Sequence, residues 1–105
     1  MEVTQRGMLV AGRNLGPDST FGGTMRFFFN LAGVVHDPDN EGLELASLSA
    51  ARTMAVQAAA ELIRDRPDIV WAGEEARVEV TDDNQLLLFT VIVLGVDSAA
   101  AANMS

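Results

Sequence analysis

The chain contains no cysteine, and only one histidine and one tryptophan among 105 residues. Without cysteine there is no disulfide framework, no thiolate metal site and no thiol nucleophile. Lysine is absent too, so cationic charge rests on seven scattered arginines against fifteen acids, for a net charge of −8. That balance argues against a phosphate-backbone binder, which needs clustered cations, and no nucleic-acid partner is expected. The apolar runs fall short of the roughly 18 residues a membrane span requires, so no membrane partner is expected either. Residues 1–24 lack the basic start and long apolar stretch of a secretory signal, and a cytoplasmic location is expected. Phosphate-cradling loops are missing as well: Gly22-Gly23-Thr24 precedes a strand pattern and not a helix.

The apolar fraction of 49% is that of a folded chain, and the length suits one small domain. Residues 1–24 hold five of the nine glycines and sustain no apolar period, so they read as a flexible N-terminal extension. Translation from an upstream start codon, with Met25 as the native start, would account for it. Residues 98–105, rich in alanine, read as a flexible C-terminal tail. Residues 25–97 form the single patterned domain and carry the whole charge imbalance.

Within that domain, Met25–Leu31 reads as a strand with Phe27, Phe29 and Leu31 on one face and Arg26, Phe28 and Asn30 on the other. Ala32-Gly33 supplies a turn, and Val34-Val35-His36 reads as a short return strand. It ends in Asp37-Pro38-Asp39-Asn40-Glu41-Gly42, a sequence of turn formers. A helix is predicted from about Ser47 to Asp65, with Ser47 or Ser49 as its N-cap. Leu48, Ala51, Ala55, Ala58 and Leu62 recur at helical spacing and should face the sheet. Pro67 stops the helix, and Trp71 in the following loop is expected to close over the core. Ala76–Thr81 alternates as a strand with Val78 and Val80 inward. Asp82–Gln85 reads as a hairpin turn, and Leu86–Leu94 as the last strand. The expected fold is therefore α+β, ββαββ: a four-stranded, mainly antiparallel sheet with one helix packed on one face.

The ordered features resemble a family of small bacterial proteins classed as a domain of unknown function. The residues that carry the likeness are Met25-Arg26-Phe27-Phe28-Phe29, then Asp39-Asn40-Glu41-Gly42-Leu43-Glu44-Leu45, then Ser47-Leu48 with Ala50-Ala51, and last Val78-Glu79-Val80-Thr81-Asp82-Asp83. The likeness covers about residues 25–95. It departs at Asn84-Gln85, where that family often has glycine, and residues 1–24 have no counterpart. The resemblance implies the fold and carries no activity with it.

Candidate sites are few. His36, Asp37, Asp39 and Glu41 are the weak ligand candidates. Hard cations take several carboxylate oxygens, and Asp37, Asp39, Glu41 and Gly42 mimic positions 1, 3, 5 and 6 of an EF-hand loop. The mimicry fails at position 12, which is Leu48 and not a bidentate glutamate, so a turn with Asx bonds before the helix is the simpler reading. His36 is a candidate general base by residue type, but no nucleophile elbow accompanies it. Neighbouring acids in Glu74-Glu75 and Asp82-Asp83 point apart on a strand or turn and read as solvated. No cofactor, metal or catalytic residue is expected.

The last strand offers more. It is apolar on both parities: Leu87, Phe89, Val91 and Val93 form one row, and Leu86, Leu88, Thr90, Ile92 and Leu94 the other. One helix covers one face, so the row with Thr90 is assigned to the open face with Phe28, rimmed by Arg77 and Glu79. Phe28, Leu86, Leu88, Thr90, Ile92 and Leu94 are thus the interface candidates. The leading expectation is a non-enzymatic module that forms a homodimer or binds a protein of basic surface. The alternative is a small-ligand or metal-binding protein or enzyme using His36 and the nearby carboxylates.

Overall fold

A computed structural model describes residues 20–104. β1 spans Thr20–Gly33, β2 Leu43–Ser47, α1 Leu48–Asp65, β3 Ala76–Thr81 and β4 Leu87–Val93. Short 3-10 helices lie at Pro67–Trp71 and Ala101–Asn103. The four strands form one sheet in the order β2-β1-β3-β4, with every neighbouring pair antiparallel. This is the expected ββαββ fold, an antiparallel sheet with one helix against it.

The second strand lies elsewhere than the sequence suggested. Val34-Val35-His36 is not a strand: it is a turn and bend, followed by an isolated bridge between Leu31 and Asp37. β1 continues through Ala32 and Gly33, which pair with Arg77 and Ala76 of β3. Gly33 has φ +86°, and a Cβ there would come within 2.1 Å of the Glu75 carbonyl oxygen, so only glycine fits. The strand after the acidic turn is Leu43–Ser47, whose Leu43 and Leu45 stand opposite Phe27 and Met25. β1 also starts at Thr20, so residues 20–24 of the expected extension belong to the sheet. Residues 1–19 lie outside the described residues.

α1 begins after Ser47, whose hydroxyl accepts from the Ala50 N–H at 3.0 Å. Its buried stripe is Ala51, Ala55 and Ala59. Small side chains let the helix sit close on Phe27, Val78 and Val80, which are fully or almost fully buried. Leu48 and Ala58 pack at the margin of this core, as do Phe89, Val91 and Val93. Leu62 is half-buried and lines a groove beside the core.

In the 3-10 turn after α1 the buried residue is Ile69, 2% exposed. Trp71 does not act as the lid: it is 62% exposed, with its ring against Gly95. That contact follows from the 3-10 turn, which carries Val70 to the chain beyond β4, where its carbonyl accepts from the Gly95 N–H at 3.0 Å.

Candidate functional site

The acidic turn is built around one carboxylate. Asp39 accepts from Phe29 N–H through Oδ2 at 3.0 Å, and from Glu41 and Gly42 N–H through Oδ1 at 3.0 and 3.1 Å. Its own N–H donates to Asn30 Oδ1 at 2.9 Å. Two backbone bonds of 3.0 Å join Leu31 to Asp37. Beyond Phe27 the β2 side of β1 has no strand partner among the described residues, and these bonds take the place of one. Gly42, at φ +73°, then reverses the chain into β2 against Arg26 and Phe28.

Burial pushes the Asp39 carboxyl upward, but three N–H donors and the Arg26 charge outweigh it and hold the carboxyl below its ordinary range. Arg26 is itself anchored, donating to the Glu41 carbonyl at 2.6 Å and pairing with Glu44 at 3.0 Å. Asp39 is therefore spent on chain geometry. His36 and Asp37 are exposed, and Glu41 contributes its backbone. Among the described residues no three His, Asp or Glu side chains converge as a metal site would require.

Asp37, Glu61 and Asp65 rim a groove of about 600 Å³ whose apolar wall includes Phe29, Leu31 and Leu62. It lies between the C-terminal half of α1 and the acidic turn. His36 does not line it.

The face of the sheet away from α1 is mixed in character. Its centre is polar: Arg77 Nε meets Glu79 at 3.0 Å and Nη1 meets Glu75 at 3.3 Å. Asn30 Nδ2 donates to the Glu79 carbonyl at 3.1 Å beside them. Apolar side chains border that centre. Phe28, half-buried, lies opposite Thr81, and Ile92, 60% exposed, lies opposite Arg77.

A bulge decides which leucine joins this face. Val80 stands opposite Phe89 but Thr81 opposite Leu87, so Leu88 is the extra residue of β4. The bulge reverses the parity below it. Leu88, expected on the open face, packs against the core, and Leu87 takes its place at 53% exposure. Leu86 and Leu94 are exposed beyond the two ends of β4, and Thr90 is half-buried opposite Glu79. An unbroken period of two through β4 places Leu87 on the helix side, and because the strand is apolar on both parities its sequence does not mark the break; only the register against β3 reveals the shift.

Together these features define a small α+β domain with a single helix on an antiparallel sheet, a carboxylate-braced turn and an apolar edge strand. The chain belongs to the DUF6894 family, a domain of unknown function, whose model matches residues 26–95. No curated protein and no solved structure matches it.

Proposed function

We propose that this domain is a non-enzymatic association module that binds a second copy of itself through β4. The observation that carries the reading is the exposure of Leu87 and Ile92, each more than half open to solvent on one strand. From Leu86 to Val96 the chain has no charged residue, although the protein as a whole carries −8. An apolar run kept free of charge on so acidic a chain suits a surface that is covered in use. The state of the other candidates supports association over ligand chemistry: Asp39 holds the turn, and His36 is not among the residues lining the groove beside it.

Light scattering after size exclusion tests this on the full chain. The expected result is a dimer, and a folded monomer for the double variant Leu87→Glu/Ile92→Glu, with helix content retained by circular dichroism. Both side chains are exposed, so the variant leaves the core intact. A wild-type chain that remains monomeric at high concentration removes the reading.

A further inference from the structure

An edge strand presents a row of backbone N–H and C=O groups, and folded proteins shield such rows with charge, proline, bulges or a covering segment. The sheet here has two edges, and they are treated differently. On the β2 side, β2 is five residues long and carries Glu44, paired with Arg26. The stretch of β1 that β2 does not reach is covered by Asp37 and Asp39. On the other side, β4 pairs only with β3 among the described residues. It has no charge and no proline, and the bulge at Leu88 interrupts one end only. Phe89–Val93 is thus an unbroken run of strand whose outer edge is open among the described residues.

We propose that two copies pair antiparallel, β4 to β4, across a two-fold axis at Val91, so that the two sheets become one of eight strands. The proposal rests on the self-association reading above and specifies its mode. Val91 is the midpoint of the unbulged run, so all five residues find partners. Phe89 then lies opposite the partner's Val93, and Thr90 opposite the partner's Ile92. Residues directly opposite in an antiparallel pair share a face, so the match is apolar on the helix side and Thr with Ile on the open side. Such an interface is self-complementary, as a two-fold requires. The polar centre of the open face, built from Arg77, Glu79 and Glu75, disfavours stacking face to face, which would take those charges out of water.

The helix supports the same partner. Ala58, Glu61, Leu62 and Asp65 border the groove on the β2 side of β1. At about 100° per residue, Val56 lies on the opposite flank of α1, toward β3 and β4. It is 57% exposed. A two-fold perpendicular to the sheet sets both helices on one face, and each Val56 looks across the β4 pair toward the partner's Val56.

The chain has no cysteine, so single-cysteine variants of the full chain report cleanly. In the edge-paired dimer, Ile92 and the partner's Ile92 are diagonal neighbours about 7–8 Å apart. The two copies of β1 are five strand spacings apart, about 24 Å. A short thiol cross-linker should therefore trap the dimer of Ile92→Cys and leave Phe28→Cys uncoupled. Coupling through Phe28→Cys, or a dimer that neither variant traps, overturns edge pairing while leaving self-association in place. A full chain that is monomeric by light scattering overturns both.

Discussion

Asp39 shows how one side chain can replace a strand. Its two oxygens accept from three N–H groups, Phe29 on β1 and Glu41 and Gly42 in the turn that leads into β2. An amide at this position keeps one acceptor and turns an NH₂ toward a donor. Asp39→Asn should therefore cost about 1–3 kcal/mol, read as a lower urea midpoint at neutral pH. The lowered carboxyl pKa adds a pH signature. Because the folded value lies below the unfolded value of about 3.9, the stabilisation is complete above roughly pH 4. It is lost as pH falls through the folded value. Wild type should lose stability in that acid window more steeply than Asp39→Asn, and equal slopes would show that the carboxylate holds nothing. The turn itself was legible in the sequence, since Asp, Pro, Asn and Gly each favour one. That Asp39 rather than Asp37 supplies its side chain to the turn was not, because the choice depends on which β1 N–H groups lack a partner in the sheet.

At the level of elements, the helix was the most legible and the second strand the least. Ser47, Pro67 and the spacing of the alanines fix α1 by local chemistry. Val34-Val35-His36 has better strand propensity than Leu43–Ser47, yet pairing decides: Leu43 and Leu45 meet Phe27 and Met25, whereas Gly33 commits the chain before Val34 to β3. Trp71 is similar. Its loop position was plain, but the turn buries Ile69 and leaves the larger ring outside, on Gly95. The close approach of α1 to the sheet yields a second prediction. Ala55 is fully buried against the core, so Ala55→Leu adds volume where there is none to spare. The expected cost is about 1–3 kcal/mol, and each kcal/mol lowers the thermal midpoint by about 4–8 °C in a domain of this size. An unchanged midpoint would mean that the helix stands further off than its alanines indicate.

For the whole molecule, charge and apolar surface are segregated. Among the described residues the acids lie in the turns, in the C-terminal half of α1 and at Glu44 and Glu79 on β2 and β3, while Leu86–Val96 carries none. The proposed dimer would bring together two bodies of −8 each through β4, repelling at long range and adhering at short range. Salt screens the first term and leaves the second, with the Debye length falling from about 30 Å at 0.01 M to about 8 Å at 0.15 M. Dimerisation measured by sedimentation should tighten across that range, and loosening with salt would point to an ion-paired contact instead. The shared strand β1 has a further consequence, for the chain as it is being made. Phe27-Phe28-Phe29 is synthesised early, but Phe28 and Phe29 pair with Thr81 and Val80, roughly fifty residues later. At about 5–20 residues per second, a ribosome exposes that aromatic run for several seconds before its partner exists. The nascent chain therefore passes through an interval in which this aromatic run is bare, and chaperone capture would fall there.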